Sequence, residues 1–419
     1  MLAASTGLLT DHYEFTMLDA ALADGSASRP VAFEAFARDL PDGSGFGVMG
    51  GTARLVEAIG DFRFGERELH HLAEIVSPPT LEWLAGYRFG GTITAYPEGE
   101  LWWPESPLLT VRGTFGECVL LETLVLSILN HGCAIATRAA RITGAAGGTA
   151  VIEMGSRRCH EAAAVEAARL AWVAGFAATS NVEAGHRYRV PTSGTAAHAW
   201  TMVHDDELDA FRAQVATLGA GTTLLVDTYD IAGGIERAVT AAREAGADGP
   251  GAIRIDSGDL GAEATKARRQ LDALGAGSAK VTVSGDLDVA AIEALVASGA
   301  PIDGFGVGTQ LVAAPPVGVI YKLVAVGSGT GDDALRAVAK RSAHKASAGG
   351  VKRAWRVSGS GSDVVLGADH PGPLGSREVA VTVIDRGRPA ADLLDPAAAT
   401  VAARRRFQAS LAELTGARS

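Results

Sequence analysis

The sequence predicts an α/β protein: an irregular parallel β/α barrel plus a mixed α/β domain built from the N- and C-terminal segments. Two observations support this prediction. Between residues 150 and 309, short apolar runs alternate with Gly- or Ser-containing turns and Ala-rich helical segments. The later turns, at Asp227, Asp256, Ser284 and Gly308, recur at intervals of under thirty residues, the length of one strand, one helix and two loops. An open doubly wound sheet is the alternative, but no Gly-rich dinucleotide fingerprint opens its first unit.

The chain divides into three segments. Residues 1–115 mix short helical runs with strand-like alternation, as in "GTITAYPEGELWW" and "PLLTVRG". Residues 116–325 begin with a helix over Leu120–Arg138 and continue as the catalytic barrel. Residues 326–419 lose this regularity and end in a helix, so we expect them to complete the N-terminal domain or to cap the barrel. The predicted barrel strands are "TAVIEM", "GFAATS", "RYRVP", "TTLLVD", "GAIRID", "KVTVSG" and "PIDGFGVG".

Composition excludes several classes of protein. With 419 residues, of which 47% are hydrophobic and 20% charged, the chain is expected to pack into a globule larger than one small domain. A net charge of −11 argues against a general nucleic-acid binder. The three cysteines form no metal pattern and fit a reducing cytosol. The N-terminus lacks a signal-peptide core, and Glu122, Asn130 and His131 interrupt the most apolar stretch. We therefore expect a cytoplasmic protein with no nucleic-acid or membrane partner.

Polar clusters stand at the carboxyl ends of the predicted strands, where a parallel barrel carries its catalytic side chains. Because seven such clusters converge on one face, they predict a single polar active site. They are "EMGSRR" (153–158), "ATSN" (178–181), "SGTAAH" (193–198), "VDTYD" (226–230), "RIDSGD" (254–259), "SGDLD" (284–288) and "GVGT" (306–309).

The last two clusters predict a phosphate site. Ser284 and Gly285 follow one strand, and Gly306, Gly308 and Thr309 follow the next. Loops of this kind present backbone N–H groups to an anion, and glycine allows a close approach because it has no Cβ. Tight turns that need glycine for geometry are the alternative.

Carboxylates in two neighbouring clusters are candidates for ribose or magnesium. Asp256 and Asp259 follow Arg254, and Asp227 and Asp230 come from the preceding unit. Such groups can hold ribose hydroxyls or a hydrated Mg²⁺. Asp259 could instead be an N-cap of the next helix.

Arg157 and Arg158 supply planar cations suited to a carboxylate or a phosphate. Together with the phosphate loops and the carboxylates, they suggest a phosphorylated sugar and an anionic ring. His198, in the small-residue stretch "SGTAAHAWTMVHDD", has no role by position alone, since a lone histidine near a strand end is usually a satisfied structural residue. His204 is interpreted as structural.

The motifs in order resemble those of nicotinate phosphoribosyltransferases over nearly the whole chain. The similarity begins with "LLTDHYEFTM" and continues through "EMGSRR", "TSNVEAG", "SGTAAHAW", "DTYD", "RIDSGDL" and "GFGVGT". The tail segments "KRSAHKASAGGVKRAWR" and "RRRFQASL" are also similar. Any one motif is weak, whereas the full series in family order is specific.

The resemblance implies a type II phosphoribosyltransferase that works as a homodimer with shared active sites. The implied reaction joins nicotinate to 5-phosphoribosyl 1-diphosphate, giving nicotinate mononucleotide and diphosphate in NAD salvage. ATP is the implied co-substrate and Mg²⁺ the implied cofactor. By motif position, the γ-phosphoryl group of ATP passes to His198, a catalytic nucleophile. The implied substrate-binding residues are Arg157, Arg158 and Arg254 for base and phosphates, Asp256 for ribose or metal, Thr195 and Asp259 beside them, and Ser284, Gly285, Gly306, Gly308 and Thr309 for the 5′-phosphate.

Further implied roles concern recognition of the base. Tyr13 would cross the dimer and stack on the pyridine ring, with Asp11 fixing its segment. Ser180 would favour the acid over the amide, because related nicotinamide-using enzymes carry an aspartate there; a cap of the helix at "NVEAG" is the alternative. Met154 stands where relatives often carry an aromatic residue, and Ala178 replaces their usual glycine.

Four alternative functions agree less well with the sequence. Quinolinate phosphoribosyltransferase would lack the "GTxxH" turn, and nicotinamide phosphoribosyltransferase would differ at Ser180. A non-catalytic paralogue would not need His198, Arg254 and Asp256 together. An unrelated sugar-phosphate lyase would explain only the phosphate loops.

Overall fold

A computed structural model describes residues 5–40, 45–327, 335–340 and 348–415. Its contacts divide the chain into two compact units: unit 1, within residues 1–137 and 315–419, and unit 2, residues 138–314. The sequence placed the boundaries near residues 115 and 325. Residues 341–347 of the basic "KRSAHKASAGGVKRAWR" segment lie outside the described residues.

The first part of the chain alternates short helices and strands, as its Pro and Gly punctuation predicts. The elements are α1 (His12–Asp24), a 3-10 helix (Ser26–Ser28), β1 (Pro30–Ala37), β2 (Gly47–Val48), α2 (Thr52–Gly60), α3 (Glu66–Leu72), α4 (Pro78–Ala85), β3 (Thr92–Ala95), β4 (Leu101–Trp102), β5 (Leu109–Thr114), α5 (Phe115–Val119) and α6 (Glu122–Ala145).

The helical stretch over Phe115–Ala145 is, within the described residues, the one long and apolar enough to cross a membrane by length and composition. In its most apolar window, 61% of the residues are buried inside the structure. Buried core helices pass the same composition test, so the stretch is weak evidence for a membrane span.

Unit 2 repeats strand and helix in the predicted alternation. Its elements are β6 (Ala150–Glu153), α7 (Glu161–Val173), β7 (Ala178–Thr179), α8 (Val182–Tyr188), α9 (His198–Met202), α10 (Glu207–Leu218), β8 (Thr223–Leu225), α11 (Ile231–Glu244), β9 (Ala252–Ile255), α12 (Leu260–Ala273), β10 (Lys280–Ser284), α13 (Val289–Ala297), β11 (Gly304–Val307) and α14 (Thr309–Val312).

The strands of unit 2 form one parallel sheet of six in the order β7-β6-β11-β10-β9-β8. The first strand, β6, pairs with the last, β11, so the sheet curls into a half-barrel with β7 and β8 at its edges. The predicted α/β class with a parallel, barrel-type sheet is confirmed. The prediction of a strand at "RYRVP" is wrong: Tyr188 ends α8, Arg189 adopts a left-handed conformation, and an isolated bridge joins Thr179 to Thr192. Tyr188 and Val190 are buried in a cluster with Ala168 and Ala184, and this packing onto α7 explains the apolar pattern.

Several helices of unit 2 begin with an Asp or Asn whose side chain accepts a backbone N–H of the first turn, a standard N-cap. The caps are Asn181 for α8, Asp206 for α10, Asp230 for α11, Asp259 for α12 and Asp288 for α13. Part of the polarity at the strand ends therefore stabilises helix starts.

The C-terminal part returns to unit 1 and pairs with the first part. Its elements are β12 (Val319–Val326), β13 (Arg336–Ala337), β14 (Lys352–Val357), β15 (Val364–Gly367), β16 (Ser376–Glu378), β17 (Val381–Asp385), β18 (Arg388–Pro389), a 3-10 helix (Ala391–Leu393) and α15 (Pro396–Thr415). A seven-stranded sheet in the order β13-β12-β1-β5-β3-β17-β18 takes strands from both segments. The rings of Phe33 on β1 and Tyr321 on the adjacent β12 stack with their centroids 4.7 Å apart. The two terminal segments thus build one mixed domain, as predicted for the fold class.

Candidate active site

A polar cavity of about 220 Å³ opens in unit 2 at the carboxyl ends of the strands. Ten of the residues singled out from the sequence line it. They are Met154, Arg157, Arg158, Arg254, Asp256, Ser284, Gly285, Gly306, Gly308 and Thr309. The convergence of the strand-end motifs on one site is the geometry expected of a parallel barrel.

Arg254 joins three loops around this cavity. On β9 its neighbours Ile253 and Ile255 are fully buried, so the strand alternation brings the guanidinium to the other face. Its Nε donates to Ser284 Oγ at 2.8 Å, and Nη1 donates to Thr195 Oγ1 at 2.9 Å. Nη2 lies 3.2 Å from Asp256 Oδ1, which also accepts from the Ser284 hydroxyl. These hydrogen bonds hold the guanidinium fork in one orientation.

Asp227 continues the network toward His198. Its Oδ2 accepts from the Asp256 N–H at 2.9 Å and from the Ser257 hydroxyl at 2.7 Å. The next residue, Thr228, has its Oγ1 3.2 Å from Nδ1 of His198, the first residue of α9. His198 is partly buried and is not among the lining residues of the cavity. Nδ1 of His204 lies 2.8 Å from the carbonyl oxygen of Trp200, and the two rings meet edge to face. Both contacts agree with a structural role for His204.

Glycines allow the loops to approach one another closely. At Gly308, a Cβ would lie 2.9 Å from the Met154 carbonyl oxygen. At Gly306, it would lie 2.9 Å from Met154 Sδ, so the thioether occupies the space over this glycine. Met154 therefore forms one wall of the cavity. A polarisable thioether can pack against a planar ring.

Arg157 and Arg158 are exposed on the loop that follows β6. Within the described part of the chain, neither side chain has an ion-pair or hydrogen-bond partner. The Arg158 N–H donates to the Gly155 carbonyl at 2.8 Å, closing a turn that carries both arginines. Two free guanidinium groups at a cavity mouth are suited to an anionic ligand.

Two of the predicted carboxylates act as caps. Asp259 Oδ1 accepts from the Ala262 N–H at 3.1 Å, and Asp230 Oδ2 accepts from the Gly233 N–H at 2.7 Å. Asp259 thus has the capping role that the sequence left open, and Asp230 has one that the sequence did not suggest. Neither lines the cavity.

The residues present fit a magnesium ion that arrives with a phosphorylated substrate. The described residues contain no group of three or more His, Cys, Asp or Glu that could hold a metal ion alone. Mg²⁺ usually takes one or two carboxylates and completes its shell with waters and substrate phosphates. Asp227 Oδ1 is buried and has no hydrogen-bond partner in the part of the chain that the structure describes, so this carboxylate retains acceptor capacity.

Ser180 is exposed at the end of β7 and is not the cap of α8. The cap is Asn181, whose Oδ1 accepts from the Ala184 N–H at 2.8 Å. The Ser180 N–H donates to the Glu153 carbonyl at 2.8 Å, and its hydroxyl has no hydrogen-bond partner among the described residues. The capping alternative for Ser180 is therefore wrong.

Tyr13 and Asp11 lie in unit 1, at the start of α1. Tyr13 is 43% exposed. Partial burial, with the nearby carboxylates of Glu122, Glu14 and Asp11, raises the pKa of its hydroxyl to about 12, so the ring stays neutral at physiological pH. Asp11 is exposed at the N-cap position without a side-chain capping bond.

Sequence reasoning missed three residues. Asp286 lines the cavity in a left-handed conformation, with φ of 46°, which is uncommon for a residue with a Cβ. Thr228 contacts His198, and Glu153 is a buried carboxylate beneath the site. All three stand inside quoted motifs, but their roles depend on contacts between loops.

The fold and cavity define a class: an α/β-barrel enzyme with a cationic, polar site suited to a phosphorylated small molecule.

Comparisons with known proteins specify the family. The model of the nicotinate phosphoribosyltransferase (NAPRTase) N-terminal domain matches residues 8–130, and the NAPRTase family model matches residues 149–353. A nicotinate phosphoribosyltransferase of Mycobacterium tuberculosis is 53% identical over 92% of this chain and 87% of its own length. One from Bacillus subtilis is 39% identical over 77% of this chain and 67% of its own length. Human nicotinic acid phosphoribosyltransferase is 25% identical in sequence, with a TM-score of 0.83, covering 97% of this chain and 94% of that one.

The chain belongs to the nicotinate phosphoribosyltransferase family. It is an enzyme of small-molecule substrates such as nicotinate and phosphoribosyl diphosphate, and NAD salvage is its expected role.

Proposed function

We propose that this enzyme couples nicotinate mononucleotide synthesis to ATP hydrolysis through a phosphohistidine at His198, acting in the cytoplasm as a homodimer with shared sites. The observation that carries the proposal is a series of contacts that links the cavity to His198. Arg254 binds the Asp256 carboxylate, the Asp256 N–H donates to Asp227, and the next residue along the chain, Thr228, contacts the imidazole.

In the proposed mechanism His198 carries its proton on Nδ1, which donates to Thr228 Oγ1 at 3.2 Å, so that Nε2 keeps its lone pair. Nε2 then attacks the γ-phosphorus of ATP; the new N–P bond forms as the bond to the β-γ bridging oxygen breaks, and ADP leaves. Hydrolysis of this phosphohistidine in the catalytic cycle accounts for the coupling.

Transfer of the ribosyl group depends on positioning and charge. Diphosphate leaves C1 of the ribose with the bonding electron pair, and the pyridine nitrogen supplies the pair for the new C–N bond. Arg157 and Arg158 hold the diphosphate charge, and the loops of Gly285 and Gly308 hold the 5′-phosphate. In addition, Ser284 and Thr309 would bind the same phosphate, and Asp256 a ribose hydroxyl.

Mg²⁺ would neutralise charge on the diphosphate, held by the carboxylates of Asp227 and Asp256. Asp227 suits this role better than Asp230, because Asp230 caps α11. Both substrates are anionic, and the three arginines at the cavity match that charge.

Base recognition draws on residues of two copies of the chain. Met154 packs on one face of the pyridine, and Tyr13 of a second copy of the chain stacks on the other. The exposure of Tyr13 supports this assignment, since a ring buried within its own protomer could not contact a second copy of the chain. Ser180, uncharged and exposed, donates its hydroxyl to the nicotinate carboxylate.

Two assays test the proposal, one of product formation and one of phosphoryl labelling. Purified enzyme receives phosphoribosyl diphosphate with nicotinate, nicotinamide or quinolinate, with and without ATP, and mononucleotide formation is measured. We expect nicotinate to be used and ATP to raise its rate. His198→Ala should lose acid-labile label from γ-labelled ATP and keep part of the uncoupled transfer, whereas His204→Ala should keep the label. Labelling that persists in His198→Ala contradicts the phosphohistidine assignment.

A further inference from the structure

Glu153, the last residue of β6, is a carboxylate placed beneath the active site rather than in it. It is 1% exposed and does not line the cavity. Its strand neighbours are Val307 on one side and Thr179 on the other. Burial raises the pKa of this carboxyl, whereas hydrogen bonds from Thr179 and the Gly155 N–H lower it. Because a buried carboxylate is costly unless it is hydrogen-bonded, its partners need an explanation.

Its two oxygens accept hydrogen bonds from two different segments of the chain. Oε1 accepts from the backbone N–H of Gly155, and Oε2 accepts from the hydroxyl of Thr179. Gly155 belongs to the loop of the two free arginines, and Thr179 precedes Ser180. A single side chain thus joins the loop proposed for the phosphates to the loop proposed for the nicotinate carboxylate.

Further hydrogen bonds close this link into a ring. Thr179 Oγ1 accepts from the Asn181 N–H at 2.9 Å, and Asn181 Nδ2 donates to Ser156 Oγ at 3.0 Å. Since Ser156 follows Gly155, the ring returns to the first loop. Gly155 is also packed tightly, because a Cβ there would lie 2.5 Å from Val312 Cγ1. The turn that carries the arginines is therefore anchored at its base.

We propose that Glu153 is a positioning residue that sets the two arginines and Ser180 at a working distance from one another. Arg157 and Arg158 have no partners of their own in the described part of the chain, so the backbone of their turn decides where the guanidinium groups lie. Glu153 holds that turn through the Gly155 N–H and holds the Ser180 loop through Thr179 and its own carbonyl. This inference rests on the proposed roles of the arginines and Ser180.

The test compares steady-state KM and kcat of full-length variants. Glu153→Gln keeps an acceptor for Gly155 but replaces an oxygen facing Thr179, and Thr179→Val removes the hydroxyl at nearly constant volume. We expect each to raise KM for phosphoribosyl diphosphate and for nicotinate by about tenfold, as displaced binding groups should. Thr179→Ser keeps the hydroxyl and should restore both values. In the double variant, KM should rise by less than the product of the two single increases, since both substitutions break the same ring of hydrogen bonds.

Glu207→Gln is the matched control. Glu207 is also a buried carboxylate of unit 2, with its ion pair to Arg237, and the substitution changes the charge by the same amount. A general loss of stability would lower the melting temperature in both variants and leave both KM values unchanged in the folded fraction. Unchanged KM in folded Glu153→Gln and Thr179→Val, or an equal rise in Glu207→Gln, would overturn the inference.

Arg158→Ala separates this inference from the proposed function. If Arg158→Ala raises KM for phosphoribosyl diphosphate while Glu153→Gln does not, the positioning role alone fails. If Arg158→Ala leaves that KM unchanged, the proposed phosphate role of the arginine fails, and with it the basis of the inference.

Discussion

Replacing Gly285 by alanine should weaken both the fold and the phosphate site. Gly285 has φ of +118°, a conformation that residues with a side chain rarely adopt. A Cβ there would stand 2.7 Å from the carbonyl oxygen of Asp256. That carbonyl cannot move easily, because the N–H of the same residue is bound to Asp227 at 2.9 Å. The substitution therefore forces the 285 loop itself to shift.

The expected magnitude follows from these two contributions. Backbone strain of this kind costs about 1–3 kcal/mol, and the clash with a fixed carbonyl puts Gly285→Ala near the upper end, at about 3 kcal/mol. Gly299→Ala is the control: φ is also positive, at +68°, but nothing lies within 4 Å of the added Cβ. It should cost about 1 kcal/mol.

Urea unfolding and initial rates measure the two effects. Gly285→Ala should lower the unfolding midpoint more than Gly299→Ala, and it alone should raise KM for phosphoribosyl diphosphate, by about tenfold. Equal midpoints and equal KM values in the two variants would refute the reasoning that the loop needs glycine for a close approach.

Three further predictions test other parts of the molecule. Tyr13→Ala and Arg157→Ala should each be nearly inactive, and mixed dimers should regain activity in the one site with both native residues; no recovery on mixing argues against shared sites. Ser180→Asp should lower the nicotinate-to-nicotinamide efficiency ratio by about tenfold, about 1.4 kcal/mol, because a second negative charge faces the substrate carboxylate; an unchanged ratio would place specificity elsewhere. Burial raises the pKa of Glu14 from 4.5 to about 7, so its contribution to stability is present below pH 4.5 and lost as the pH rises through about 7. Glu14→Gln should remove this part of the decline, measured as urea midpoints at about pH 5 and about pH 8.

The repeating part of the fold was predictable because its pattern is local. Each barrel strand carries a short apolar run, and each turn carries its own punctuation. "RYRVP" misled because Tyr188, at the end of α8, and Val190, just beyond it, are both buried against α7, and burial of alternate residues looks the same at a helix end and in a strand. Only the tertiary neighbours distinguish the two.

The sequence predicts which residues line the site but not which contacts they make with one another. Ten of the selected residues share one cavity, because strand ends in a parallel sheet meet at one edge. Asp256 and Asp259 look equivalent in "RIDSGD", yet one contacts Arg254 and the other caps α12. Helix caps and ligands use the same residue types at the same strand ends, so a sequence alone cannot separate them. The role of Glu153 is not visible in the sequence because its partners come from two segments: Gly155 from the loop after β6 and Thr179 from the end of β7.

The division of unit 1 between the two ends of the chain has a consequence for biosynthesis. Strand β1 pairs with β12, with Val31 opposite Val326. A ribosome adding about 5–20 residues per second therefore exposes β1 on the order of tens of seconds before β12 emerges. During that interval all of unit 2 leaves the exit tunnel and can fold, while one side of β1 stays an open strand edge that favours association with other chains. A nascent chain that has emerged from the tunnel as far as residue 314 should thus hold a structured barrel segment and an unfinished sheet, and this should be the stage at which chaperones bind.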